Sequence, residues 1–310
     1  MRRVVITGGT GLIGRALAAE LVGAGYEVVI LSRNPRLASG LPAGVRLEQW
    51  DARTAEGWGY LADGAYAIVN LAGENIGAGL WTAERKRRIR QSRLDAGRAV
   101  VEAVTQASVK PQVVVQASGV GYYGPRGDEE IPEEAPAGSD FLGRLAVEWE
   151  ASTAPLGAMG VRHVVVRTGV VLSRDGGALP RLMLPFRLFV GGPLGDGRQW
   201  VPWIHITDHV RAVRFLLEDE RARGPYNLAV PNPCTNQELA RRLGQALGRP
   251  SWFPTPAFAL RLLLGEMSVV LLTGQRAVPR RLLEEGFRFR FPDLTDALTD
   301  LLRRPQTVGK

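Results

Sequence analysis

One cysteine, Cys234, stands in 310 residues, which excludes an internal disulfide and suits a reducing compartment without requiring one. His163, His205 and His209 are the only histidines, and no Cys/His/carboxylate grouping has metal-ligand spacing, so no metal site is expected. Long hydrophobic runs are also missing. The most apolar late stretch, Phe258 to Thr273, carries Arg261 and Glu266 and is too short to span a bilayer; it reads as a buried helix. Arg2 and Arg3 lead straight into a short strand with no secretory leader pattern, so a cytoplasmic location and no membrane partner are expected. Lysine is scarce: three of the 39 basic residues are lysines, and the net charge of +8 rests on arginines scattered along the chain. A scattered charge of this kind gives no grooved reading element, and no specific nucleic-acid partner is expected. One denser run, Arg85 to Arg88 with Arg90, Arg93 and Arg98, reads mostly as a solvated helix face.

Glycine is plentiful, and three glycines carry the strongest signal. Val4-Val5-Ile6 reads as a buried strand, and Gly8, Gly11 and Gly14 follow on a TGxxGxxG spacing just where helical periodicity begins. Gly8 permits the tight strand-to-helix turn, Gly11 lets backbone approach a pyrophosphate, and Gly14 lets the helix lie close. The loop, with Thr10, Leu12 and Ile13 between its glycines, presents a helix N-terminus to an anion. An amphipathic run through Leu21 and a second apolar strand, Glu27 to Leu31, complete a dinucleotide-binding unit.

Apolar strands alternate with helical stretches to about residue 170: Arg46 to Trp50, Ala67 to Leu71, Gln112 to Ala117 and Arg162 to Thr168, with helices at Thr82 to Ala107 and Phe141 to Ala154. This is the pattern of an α/β protein with a Rossmann-type doubly wound parallel sheet. The expected division is a cofactor-binding domain over 1–170 and a mixed segment over 171–310. In the second part Gln199 to Ile206 reads as a strand, Thr207-Asp208 as the cap of a helix through Leu217, and Tyr226 to Ala229 as a strand returned to the sheet. The remainder reads as a smaller, helix-rich substrate lobe.

Where an NAD site places a carboxylate on the ribose 2′-hydroxyl, this sequence reads Ser32-Arg33-Asn34, with Arg36 nearby. A hydroxyl and a guanidinium suit a 2′-phosphate, so NADP(H) is the expected cofactor. Asp51, at the end of the third strand, is either an adenine contact or a turn residue. Leu71, Ala72 and Gly73 close the fourth strand with little bulk, so backbone can pass beside the cofactor.

Together these residues resemble the extended short-chain dehydrogenase/reductases. The strings Asn70 to Ile76, Tyr122-Tyr123-Gly124, Pro202 to His205 and Gly274-Gln275-Arg276 resemble its epimerase-like subgroup of unassigned substrate. The resemblance implies NADP(H) binding and oxidoreductase or epimerase-like chemistry on a small polar carbonyl or hydroxyl compound. It puts Arg93, then Arg88, near a phosphate or ribose, and Val170 and Val171 beside the nicotinamide. The family's active-site serine corresponds to Ser118. Its Tyr-x-x-x-Lys pair has no counterpart: the helix begins Phe141-Leu142-Gly143-Arg144-Leu145, and no tyrosine has a lysine four residues on. Tyr122 or Tyr123 is the substitute proton donor, with Glu74 and His205 as further acid–base candidates. The alternative is a dinucleotide-binding sensor or regulator that keeps the fold with a degenerate active site.

Overall fold

The computed structural model describes residues 2–303. Seven strands form one parallel sheet: β1 (Arg3–Thr7), β2 (Glu27–Ser32), β3 (Val45–Gln49), β4 (Ala67–Asn70), β5 (Val113–Gly119), β6 (Arg162–Thr168) and β7 (Gly224–Leu228). Their order is β7-β6-β5-β4-β1-β2-β3, so the winding reverses between β1 and β4. In such sheets the crevice at the carboxyl ends beside the reversal is where a ligand fits. β1 shows why the central strands are mainly apolar. Val4 and Ile6 pack into the layer of α1 (Leu12–Gly23) and α5 (Ile206–Glu218), while Val5 packs against α2 (Ala83–Gln106) on the other face. Both faces are buried, so no polar alternation survives. Leu17 and Leu21 of α1 are fully buried, and truncating either to alanine would cost about 2–5 kcal/mol.

Between β5 and β6 lies α3 (Phe141–Ala151); after β6 come α4 (Ala178–Arg187), α5, α6 (Asn236–Leu247) and α7 (Ala257–Leu264). A second core gathers α4, α6 and the helix Leu294–Leu302 around Trp203, Leu239, Leu243 and Leu298. Among the described residues no helix is long and apolar enough to cross a membrane.

Three local expectations change. Gln199 to Ile206 is two short strands, because Pro202 has no N–H to continue a ladder: Trp200–Val201 pairs antiparallel with Cys234–Thr235, and Trp203–His205 pairs parallel with Val170–Leu172. α5 starts at Ile206 and is capped by His205, whose Nδ1 accepts from the Thr207 N–H at 3.1 Å. Asp208 instead accepts from the backbone N–H groups of Arg290 and Phe291, tying the C-terminal segment down. Phe258 to Thr273 is not one buried helix. Gly265, at φ +55°, ends α7, and a 3₁₀ turn (Gly265–Ser268) and the short helix Val269–Leu272 follow. Phe258, Leu262 and Leu263 face outward, the last two 84% and 69% exposed.

Candidate functional site

A crevice of about 780 Å³ runs along the carboxyl ends of β1, β2 and β4, where the glycine loop, Ser32 to Asn34 and Leu71 to Glu74 meet. Gly8 adopts φ +65°, and a β-carbon there would lie 2.8 Å from the Leu71 carbonyl carbon. At Gly14 it would lie 2.5 Å from Gly9 Cα, so Gly14 brings α1 against its own loop. Gly11 is the N-cap of α1 without a side-chain cap, and a β-carbon there meets only the Gly8 carbonyl at 3.3 Å. The N–H groups of Leu12, Ile13 and Gly14 have no partner among the described residues, leaving the positive end of α1 turned to the crevice. Of the loop, Gly8, Thr10 and Gly11 line the crevice, joined by Arg15, which also donates from Nε to the Thr10 carbonyl at 2.7 Å.

Under this loop runs a buried polar ladder that sequence patterning did not single out. Thr7 Oγ1 donates to Asn70 Oδ1 at 2.6 Å, Asn70 Nδ2 donates to Gln116 Oε1 at 2.8 Å, and the Ala72 N–H donates to Thr7 Oγ1 at 3.2 Å. The three side chains are wholly buried at register partners of β1, β4 and β5. They fix the Leu71–Ala72 backbone against Gly8. Thr7 and Asn70 at strand ends and Gln116 in mid-strand, each following apolar residues, were the available signal.

At the other end, Ser32 is buried, and its hydroxyl accepts from the Asn34 N–H at 3.2 Å. Arg33 is exposed; only its carbonyl is engaged, by Gln49 Nε2, and its guanidinium has no partner among the described residues. Trp50, Ala52, Leu37 and Ala38 complete the wall. Asp51 lies between two lining residues but turns its carboxylate onto its own loop, accepting from the N–H groups of Arg53 and Thr54 and from the Thr54 hydroxyl. Burial acts on its pKa upward, and these hydrogen bonds bring it below the ordinary aspartate value.

Arg93 is buried, which pulls its pKa down to about 10, with Glu74 acting the other way. It donates from Nη1 to the carbonyls of Glu74 and Ile89, and its guanidinium lies 4.6 Å from the Trp149 ring centroid. It therefore shapes the Gly73–Glu74 backbone from behind. Arg88 is half exposed and pairs with Glu74 at 3.5 Å, beside the tighter Arg85–Glu74 pair at 3.1 Å. Ser92, on α2 between these arginines, lines the crevice and accepts from the Glu74 N–H.

Ser118, Tyr122 and Tyr123 come together, around a buried arginine. Ser118, Arg167 and Asn227 are register partners on β5, β6 and β7. Ser118 Oγ donates to Glu150 Oε1 at 2.7 Å, and Arg167 grips Glu150 with two bonds of 2.9 Å. Tyr123, fully buried, donates to Asn227 Oδ1 at 2.7 Å and accepts from Arg167 Nη1 at 3.1 Å. Burial pushes its phenol up to about 12, against the opposing influence of Arg167. Burial disfavours the Arg167 cation, but hydrogen bonds and charge from Glu150 more than offset this and raise its pKa. The Tyr122 ring lies 3.4 Å beneath the same guanidinium. None of the three lines the crevice or the cavity beyond it.

That further cavity, about 260 Å³, opens at the ends of β5 and β6 between Val120, Gly121, Leu142, Thr168 and Val170. Val170 lines it, held by its N–H to the Pro202 carbonyl at 2.7 Å; Val171 packs into the core of the α1–α5 layer. His205 stacks 4.1 Å from Phe291 and lies 3.4 Å from Asp300; burial lowers its pKa.

Residues 4–229 match the NAD dependent epimerase/dehydratase family, and residues 255–301 match a domain of unknown function. The chain is 41% identical to the mouse epimerase family protein SDR39U1, covering 97% of this chain and 99% of that one. It is 37% identical to the Bacillus subtilis epimerase family protein YfhF, covering 98% and 99%. Human SDR39U1, solved with NADPH, superposes with a TM-score of 0.87 at 37% identity over 96% of this chain and 98% of that one. MoeE5, solved with UDP-glucose and NAD, superposes at 0.76 with 22% identity over 96% and 97%, a likeness of fold alone.

Proposed function

This chain belongs to the NAD dependent epimerase/dehydratase family, and from that premise we propose that it is an NADP(H)-dependent oxidoreductase acting on a carbonyl or hydroxyl compound in the cytoplasm. The observation that carries the cofactor choice is the end of β2. It offers the Ser32 hydroxyl and the unpaired Arg33 guanidinium, while the one carboxylate lining the crevice, Glu74, is paired with Arg85 and Arg88. A ribose 2′-hydroxyl would find no carboxylate there, whereas a 2′-phosphate finds a cation. Human SDR39U1 was solved with NADPH, which supports the same reading.

In this reading the α1 N-terminus and the Gly8–Gly11 backbone hold the pyrophosphate, Ser32 and Arg33 hold the 2′-phosphate, and Leu71 to Gly73 flank the path toward Val170. Nicotinamide supplies or accepts the hydride when bound. The protein's own share is to position the substrate carbon beside Val120, Thr168 and Val170. Panels of ketones and aldehydes incubated with deuterium-labelled NADPH test the reading. Deuterium in a product alcohol is expected, and its absence across the panel would count against the enzyme.

A second reading, a cofactor-binding sensor, is favoured by one observation: the hydroxyls of Ser118 and Tyr123 are already committed to Glu150 and Asn227. A sensor would bind NADPH with a rise in melting temperature and turn nothing over.

A further inference from the structure

Beside the small cavity lies a larger one of about 790 Å³, walled by α4, α6 and the Ala257–Leu272 segment. The two share Leu182, Leu194, Leu239 and Leu271 as a common wall. Phe186, Leu243 and Met267 supply much of the rest of the larger chamber, and Val270, 45% exposed, stands at its mouth. Its roof is fixed: Gln199 Nε2 donates to the carbonyls of Leu194 and Leu271 at 3.0 and 2.6 Å.

Charge is nearly absent from this pair of chambers. The charged side chains on their linings are Arg181 and Asp140. Arg181 donates to the Gly77 carbonyl, and Asp140 caps α3 through the Gly143 N–H. A sugar nucleotide would bring a diphosphate needing several cations or free backbone donors, and one arginine does not meet that demand. Among the uncharged polar residues of the linings, Asn236 is buried and lines both chambers. Its Oδ1 accepts from the Leu194 N–H at 2.7 Å, and its Nδ2 has no partner among the described residues.

We propose that the substrate is a predominantly apolar carbonyl compound, its hydrocarbon chain in the large chamber and its carbonyl oxygen at Asn236 Nδ2, in place of the small polar compound or a sugar nucleotide. The proposal rests on the oxidoreductase reading for the identity of the reacting group. The reaction it implies is balanced: a hydride from NADPH adds to the carbonyl carbon, a proton from water goes to the oxygen, and an alcohol and NADP⁺ result.

Binding tests this apart from turnover. Calorimetric titrations of the whole protein, with and without NADP⁺, would use the methyl ketones nonanone, undecanone and tridecanone, and UDP-glucose for comparison. The ketones should bind with affinity rising about three- to fourfold per added methylene, and UDP-glucose should not bind. Val270→Asp, at a half-exposed position, should weaken tridecanone at least tenfold, with NADPH titration of the variant confirming its fold. Affinity independent of chain length, no ketone binding, or UDP-glucose binding more tightly would each overturn the proposal. In any of those cases NADPH binding would leave the cofactor reading standing, while loss of NADPH binding would sink that reading instead.

Discussion

Ser118, Tyr122 and Tyr123 lie together as their spacing suggests, but around a partner that no motif marked. Arg167 was legible only as a strand residue before Thr168-Gly169, and its cross-strand neighbours follow from register, which a sequence does not display. Tyr123→Phe should leave Asn227 Oδ1 without its donor and cost about 1–3 kcal/mol of stability, read by denaturant unfolding, with NADPH affinity unchanged. Unaltered stability with a 10²–10⁴-fold loss of rate, of the order expected for a general acid, would instead place the phenol in the chemistry. The histidines give a pH signature. Burial holds the His209 pKa at about 4 and also lowers those of His163 and His205. The native state thus prefers the neutral ring, whereas the unfolded chain takes up a proton as pH falls through about 6.5. Stability should be fully present above that pH and fall toward pH 4, by on the order of 3 kcal/mol for His209 alone. Glu133, raised by burial, works in the opposite direction. Midpoints of urea unfolding across this range should fall less steeply in His209→Gln than in the wild type; equal slopes would count against the assignment.

At the scale of elements, the central strands and long helices were legible because both faces of those strands are covered and the helices carry an apolar stripe, while the edge strand β3 keeps Arg46 and Gln49 exposed. Pro202 and Gly265 were the points of failure, and each acts through backbone chemistry that hydropathy does not register. The polar ladder of Thr7, Asn70 and Gln116 was hidden for a related reason: isolated polar residues look like interruptions until register aligns them. The glycine loop yields a prediction of its own. Gly14→Ala forces a β-carbon onto backbone atoms of Gly8 and Gly9, which cannot give way as a flexible side chain can. It should destabilise by about 1–3 kcal/mol and weaken NADPH as the loop shifts. Gly11→Ala meets one carbonyl at 3.3 Å, so its melting temperature should stay close to the wild type while NADPH affinity falls. Thermal unfolding of both variants, with and without NADPH, separates packing from cofactor approach.

For the molecule as a whole, the order of strands places the cofactor crevice, the small cavity and the apolar chamber side by side along one edge of the sheet. The sequence disclosed the first of these through glycine spacing; the chamber depends on helices from distant segments and has no local signature. The net charge of +8 makes another whole-molecule expectation. DNA should bind weakly, without sequence preference, and release steeply with added salt, as measured by fluorescence anisotropy at two ionic strengths. Tight, sequence-selective binding at physiological salt would contradict it. Cofactor choice is read most directly by titrating wild type and Arg33→Asp with NADPH and NADH under the same conditions. Charge-assisted bonds from Arg33 and Ser32 to a 2′-phosphate should make the wild type prefer NADPH by roughly ten- to hundredfold, and Arg33→Asp should lose most of that preference by weakening NADPH far more than NADH. Equal affinity of the wild type for the two cofactors would rule out a 2′-phosphate site at Ser32 and Arg33.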